Sequence, residues 1–482
     1  MKKTTEQQQN MGRLGTGFPK WAAWFVLLVI VVQQIGCKSP NPCGRTDYAQ
    51  QRLSQRLGVY SDSTPPDQEC IPRSVALEDG LSESEAVTIA LSNNSAFQAT
   101  LAQLGMASGD ALQASLLANP QILLYFPSGA KEGQATLYAP IESYLLRPAR
   151  VRAANKEYHR VGEQLVQNGL NLARDVRIAY ADYASAIERL QLARDANRIR
   201  HEFADLTYKR FKDGDISELE TITSRVDALS SDAAIAAEEY NVSIAKARLQ
   251  TSLGIPSYAG NLVPDPLTTL PLPEIDEEEL LQIALTCRPD YQGAQWLVSA
   301  AEERTRLARW QFLRFDGVAD TRYNSDHVRT GTGLRFDLPL FNRNQGGVVR
   351  TDWELNAAAH NRDAIRDQIH QEVRVATQQT SQARSNLQII ENSVLPKLSE
   401  AITLAQKGFA DGGTDYLLVL QTTTQYLDAR SRLITERTNL QRAIAELERS
   451  ISRPLSESPL EESWGESSGG SIAEPHNKSP ER

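Results

Sequence analysis

Four aspartates stand at two matching turns of this 482-residue chain: Asp213 and Asp215 in Phe211-Lys-Asp-Gly-Asp215, Asp411 and Asp415 in Phe409-Ala-Asp-Gly-Gly-Thr-Asp415. Carboxylates gathered at the end of an element attract cations; equally, Asp-Gly is an ordinary helix stop and Ser217 an ordinary helix start. Neither use breaks a bond. No nucleophile stands beside a base in a recognisable motif, no phosphate loop occurs, and no Cys/His spacing suits zinc. The six histidines, at positions 159, 201, 327, 360, 370 and 476, form no i, i+4 pair. This is not the residue set of an enzyme, and neither cofactor nor metal ligands are expected. A net charge of −9 and a pI near 5.4 argue against nucleic acid as partner.

One covalent chemistry is suggested by spacing. Lys2, Lys3, Arg13 and Lys20 precede an apolar run from Trp21 to Val32, suited to a signal peptide and too short to span a bilayer. Gln34-Ile35-Gly36-Cys37 then resembles a bacterial lipoprotein processing box, with Cys37 the residue to be acylated. Gln34 stands where an aliphatic residue is usual, and ordinary cleavage nearby is the alternative. Lys38 rather than Asp after the cysteine favours outer-membrane sorting. Cys43 and Cys70 flank a polar stretch and could pair in an oxidising periplasm. Cys287 reads as a small buried residue.

The elements that position the aspartates repeat. The Phe-x-Asp-Gly turns stand 198 residues apart, with Leu219 and Leu417 at the same offset; Ala139-Pro140-Ile141 and Leu338-Pro339-Leu340 correspond, as do Ala90-Leu91 and Ala284-Leu285. A tandem duplication of about 200 residues follows. The expected order is a signal segment 1–36, a tether 37–76, a first repeat 77–275, a second repeat 276–455 and a disordered Ser/Glu/Gly/Pro tail 456–482. Each repeat holds a medium helix (Leu81 to about Asn119; Asp276 to about Trp310), a hairpin (120–147; 311–341), a long helix (148–212; 345–411) and a return helix (217–253; 415–452).

The long helices carry a heptad seam: Tyr158, Val161, Leu165, Leu172, Val176, Ala179, Tyr183 and Ala186 in one, Ile369, Val373, Ala376, Thr380, Ala383, Leu387, Ile390 and Val394 in the other. About 65 residues of helix reach roughly 98 Å, which two medium helices stacked end to end match, Ser217–Leu253 with Asp276–Trp310 in one case. Pro396 should kink the second long helix, whereas Arg198 holds the equivalent place in the first.

In the second hairpin Leu313, Phe315, Gly317, Ala319, Thr321 and Tyr323 alternate with Arg314, Asp316, Val318, Asp320 and Arg322; Leu334, Phe336, Leu338 and Leu340 alternate with Arg335, Asp337 and Pro339. One face is apolar and the other charged, over runs long enough to cross a bilayer as tilted strands. Asn324 to Thr330 reads as a polar outer loop, and the first copy as Gln121–Pro127 and Ala135–Leu146. Half-buried hairpins on a soluble core are the commoner fate of such runs. Between end-to-end rods, however, no globular core covers them, and lipid is the natural cover. Two hairpins cannot close alone, so several subunits must supply the missing edges.

These features together resemble the TolC-like outer-membrane efflux family. Leu338-Pro-Leu-Phe-Asn-Arg-Asn-Gln-Gly-Gly347 and Gly214-Asp-Ile-Ser-Glu-Leu-Glu220 are similar to its heavy-metal (CzcC-like) branch. The resemblance covers about Leu81 to Pro454. It implies a mainly α fold with a small transmembrane β part: a homotrimer closing a twelve-stranded barrel above a helical periplasmic tunnel. It further implies a passive exit duct in the outer membrane, joined through a periplasmic adaptor to an inner-membrane RND or ABC pump. Arg314, Asp316, Arg335 and Asp337 would then line the barrel lumen. Asp213, Gly214, Asp215, Asp411, Gly412 and Asp415 would form the inner aperture, where threefold symmetry makes carboxylate rings, with Leu219 and Leu417 as adaptor footholds. The rivals are the outer-membrane part of a type I secretion system and a coiled-coil scaffold or adhesin.

Overall fold

Helix starts in this chain are encoded locally. Ser82 and Ser217 each accept from the backbone three residues on, while Glu85 and Glu220 reach back to the cap nitrogen. The computed structural model describes residues 80–126, 132–260, 262–266, 276–323 and 327–455, with scattered positions from 51 to 75. In chain order they form α1 (Glu83–Asn93), α2 (Ser95–Ser115), β1 (Gln121–Tyr125), β2 (Gly133–Pro140), α3 (Ile141–Lys212) and α4 (Glu218–Leu253). Then come α5 (Glu277–Cys287), α6 (Pro289–Trp310), β3 (Phe315–Tyr323), β4 (Val328–Phe336), α7 (Gln345–Ile389), α8 (Leu395–Ala410) and α9 (Tyr416–Ile451). Expectations for Cys37, Cys43 and Cys70, the signal segment, most of the tether and the tail lie outside the described residues.

The second half repeats the element order of the first, with differences where chemistry intervenes. Each medium helix is two helices. Asn94 breaks the first by capping α2, its side chain accepting from the Phe97 amide. Arg288 and Pro289 break the second, Pro289 taking the first turn of α6, where its missing N–H costs nothing. The first long helix begins at Ile141, not Pro148, and β2 accordingly ends at Pro140 rather than near Leu146. Pro148 is held within α3 while Arg150 donates to the Ser143 carbonyl at 3.1 Å. Pro396 interrupts the second long helix as expected, through a π-helical turn at Ile390–Val394 that leads into α8.

Seam residues Ile369, Val373, Ala376, Thr380, Ala383 and Leu387 are all buried; Ile390 and Val394 fall in the π turn and are not. In α3 the buried set is wider than one seam, adding Gly169, Leu170, Ala173, Tyr180, Ala181 and Ala184. The reason is packing: α3 touches α1, α2 and α4 as well as α6 and α9. End-to-end stacking holds, but each return helix meets the medium helices of its own half. The α4 end, through Leu249 and Leu253, joins Leu81, Ile89 and Leu91, and the α9 end, through Leu447 and Ile451, joins Leu280 and Ala284. The expected partner for α4 was the next helix in sequence; these two apolar clusters decide otherwise.

At the first of those joints α4 ends in Gly254, with φ 76°, and a side chain there would lie 2.6 Å from the Asn93 backbone. Gly254→Ala is therefore expected to cost about 3 kcal/mol, from left-handed strain and backbone overlap together. Thermal unfolding of the purified protein would show it as a lowered midpoint; an unchanged midpoint would mean the joint gives way freely.

The strands form one antiparallel sheet in the order β1-β2-β3-β4. Phe315 lies opposite Phe336 and Tyr323 opposite Val328. The outer edges of β1 and β4 pair with nothing among the described residues. β4 is displaced from the expected run: 328–330 belong to it and 337–340 do not. Gly331 and Gly333 hide the alternation by leaving gaps on one face, and Pro339 cannot donate to a ladder.

Candidate functional site

The register sorts the sheet into two faces. Tyr138 stands opposite Val318, Thr136 opposite Asp320 and Asp316 opposite Arg335, so these share one side. All five charged strand residues, Asp316, Asp320, Arg322, Arg329 and Arg335, fall on that side. The other side holds Ile122, Leu124, Leu137, Ala319, Val328, Leu334 and Phe336, with threonines and glycines, and no charge at all. That uncharged side is open: Leu334 is 68% exposed and Phe336 62%.

Of the four residues expected at a lumen, Asp316 and Arg335 come together on the charged face, and Arg314 and Asp337 stand next to the ends of β3 and β4. Arg335 pairs with Asp316, its Nε donating at 2.9 Å, and its guanidinium lies 4.4 Å over the Tyr138 ring. Just beyond the strand ends the Asp337 amide donates to the Arg314 carbonyl at 3.1 Å. Two features were not legible beforehand. Gln134 and Thr136 of β2 donate to Asp320 at 2.8 and 2.9 Å, a contact set by the pairing of β2 with β3 across the two halves. Arg329, read as loop, stands opposite Arg322 on the charged face.

The two aspartate turns also meet. Gly214 and Gly412 have φ of 85° and 79°, a left-handed conformation that glycine adopts at no steric cost. Arg210 Nη1 donates to the Phe409 carbonyl at 3.0 Å and its guanidinium lies 4.7 Å over the Phe409 ring. Beneath, Phe203 and Leu206 of α3 pack with Ala405, Phe409, Tyr416 and Val419. Tyr416 donates to Asp227 at 3.4 Å, tying α9 to α4, and burial pushes its phenol well above the usual range. The Ser217 amide and hydroxyl hold the Glu220 carboxyl below its ordinary value. Leu219 and Leu417 stand out at 72% and 66% exposed. Asp213, Asp215, Asp411 and Asp415 thus flank one small apolar cluster built from both halves.

Among the described residues no three His, Cys, Asp or Glu side chains converge to hold a metal ion, and no helix is long and apolar enough to cross a membrane. Cys287 is a free thiol at the end of α5, half-buried rather than buried as expected.

Comparison with known proteins agrees with this arrangement. The sequence model of the family described as outer membrane efflux protein matches twice, over residues 86–255 and 280–453. The cobalt-zinc-cadmium resistance protein CzcC of Cupriavidus metallidurans is 26% identical over 359 residues, covering 72% of this chain and 84% of that one. Among solved structures, the transmembrane channel CusC superposes with a TM-score of 0.66 at 17% identity, covering 81% of this chain and 98% of its own. The outer membrane protein VceC of Vibrio cholerae does so with 0.64 at 17%, covering 77% and 96%. The open state of the Neisseria gonorrhoeae outer membrane channel MtrE gives 0.64 at 16%, covering 82% and 98%.

Proposed function

The chain belongs to the outer membrane efflux protein family, and on that premise we propose that three copies form the exit duct of a tripartite metal-export system. One observation carries the reading: a four-stranded sheet with two unpaired edges, one charged face and one open face without charge. Unpaired strand edges are not tolerated in lipid, so β4 of one copy pairs with β1 of the next. Three copies close a twelve-stranded barrel, with the uncharged face in lipid and Arg314, Asp316, Arg335 and Asp337 in a wet lumen. Helices α1 to α9 of the three copies make the periplasmic tunnel, each copy a tandem duplication of about 200 residues. Cys37, acylated, adds a lipid anchor.

The duct is a passive conduit rather than a catalyst. Its inner aperture is the pair of aspartate turns, where threefold repetition makes rings from Asp213, Asp215, Asp411 and Asp415 that concentrate cations. Leu219 and Leu417 offer apolar footholds to a periplasmic adaptor, which connects to an inner-membrane pump of the RND class. Divalent metal ions as cargo are supported by the likeness to CzcC and by these carboxylates.

The test is a deletion strain. Loss of the protein is expected to lower the tolerated concentration of cobalt, zinc or cadmium several-fold, restored by the full-length chain. Unchanged tolerance to all three would remove metal export. Absence of ion conductance from the purified chain in planar bilayers would remove the duct altogether.

A further inference from the structure

The segments bordering the sheet are strongly basic in an acidic protein. Residues 141–152, 304–310 and 338–350 run into or out of the strands and hold eight arginines, no lysine and a single acid, Glu142, against a net charge of −9 for the chain. Five of these arginines share carboxylates deeper along the helices, such as Glu157, Glu303, Asp352 and Glu354. The other three make no contact with a carboxylate among the described residues. Arg147 donates to the Ser115 carbonyl at 2.7 Å, and Arg343 to the Pro339 carbonyl at 3.2 Å. Arg150 reaches only the Ser143 carbonyl and hydroxyl, leaving its buried Nε without a partner. Large aromatic side chains share these segments and stand open: Tyr144, Trp310 and Phe341, the last 92% exposed.

We infer that the arginine-rich segments at the foot of the sheet, through Arg147, Arg150 and Arg343, each contact the phosphodiester headgroups of anionic glycerophospholipids at the periplasmic boundary of the membrane. The inference rests on the duct reading, which sets the sheet across the bilayer. The strand ends then lie at headgroup height, where exposed Tyr and Trp settle. A planar guanidinium offers paired donors that match two phosphate oxygens, so arginine in place of lysine suits this partner. Charge complementarity selects anionic over zwitterionic lipid.

The full-length protein, reconstituted in nanodiscs of equal phosphatidylglycerol and phosphatidylcholine, tests this. After extraction in mild detergent at low salt, the lipid that stays with the protein is quantified by mass spectrometry. Phosphatidylglycerol is expected to be enriched about five-fold or more over bulk, the scale of one guanidinium at an anionic surface. In 1 M salt, where screening acts within about 3 Å, the enrichment should largely vanish, a readout that needs no variant. The triple variant Arg147→Gln, Arg150→Gln, Arg343→Gln should return the ratio toward bulk, and Arg374→Gln, on a distant pair with Glu277, should not. Lipid held at the bulk ratio, or enrichment kept by the triple variant, would overturn the inference. Failure to enter the discs at all would instead overturn the duct reading beneath it.

Discussion

Leu334→Arg is expected to impair insertion of the protein into the outer membrane, while Gly333→Arg, one residue earlier, leaves insertion intact. The two positions are adjacent in β4 and face opposite ways, Gly333 standing opposite Val318 and Leu334 opposite Gly317. Position 334 lies on the uncharged face, two residues from the end of β4, where an arginine costs less than at the bilayer midplane, about 1–2 kcal/mol per copy. Position 333 lies on the charged face with no atom within 4 Å of where its side chain would begin. There an arginine meets water and joins Arg329 and Arg335. Membrane flotation, and migration in gels with and without heating, which would reveal the proposed oligomer, read the difference. Equal behaviour of the two variants would mean that lipid does not cover the uncharged face.

Arg288→Met should produce a large loss of stability away from the sheet. Arg288 is 1% exposed and donates to Asp290, to Glu372 at 2.7 Å and to the Ser450 carbonyl at 3.3 Å. Glu372 also receives Arg449 at 2.9 Å, which in turn holds Glu446. Four helices, α5 to α7 and α9, meet at this network. Removing Arg288 takes the main counter-charge from Asp290 and half-buried Glu372, although Arg449 stays on Glu372, and the cost is expected to be about 3 kcal/mol, the lower end for a broken buried pair. The double variant Arg288→Met, Glu372→Gln should lose less than the sum of the single losses, because each removes the same interaction.

The same network dictates a pH dependence with a definite sign. Burial alone would raise the Glu372 carboxyl; the Arg288 charge and hydrogen bond, helped by Gln368 and Arg449, overcome it and hold the carboxyl at about 2, against 4.5 for the free group. A carboxyl depressed on folding contributes stability that is complete above the unfolded value and is lost as pH falls from 4.5 toward 2. About 3 kcal/mol is at stake in that window. Melting curves between pH 7 and pH 3 should fall steeply below pH 4.5 in the wild type and more shallowly in Glu372→Gln. Parallel curves would show that Glu372 carries none of the acid sensitivity.

Signals that live within a few residues were legible in the sequence. The heptads of α3 and α7, the Asp-Gly stops at 214 and 412, the Ser217 cap and the break at Pro396 each follow from local sterics or from a period of 3.5. Alternation in β3 announced its charged and uncharged sides because every other residue there is large or ionised. β4 hid its limits because two glycines emptied the charged side.

What joins distant segments was decided only by tertiary packing. Helix periodicity says that α4 needs a neighbour end to end; Gly254 seated against Asn93, and Leu253 in the cluster around Leu81, choose α1. Arg288 stood unremarked inside the helix expected from Asp276 to about Trp310, and only the approach of Glu372, 84 positions away, makes it a buried charge centre. The basic collar at the sheet is likewise assembled from three segments spread over 210 residues. Periodicity is a property of neighbours in the chain, whereas charge compensation and edge pairing depend on which surfaces are brought together.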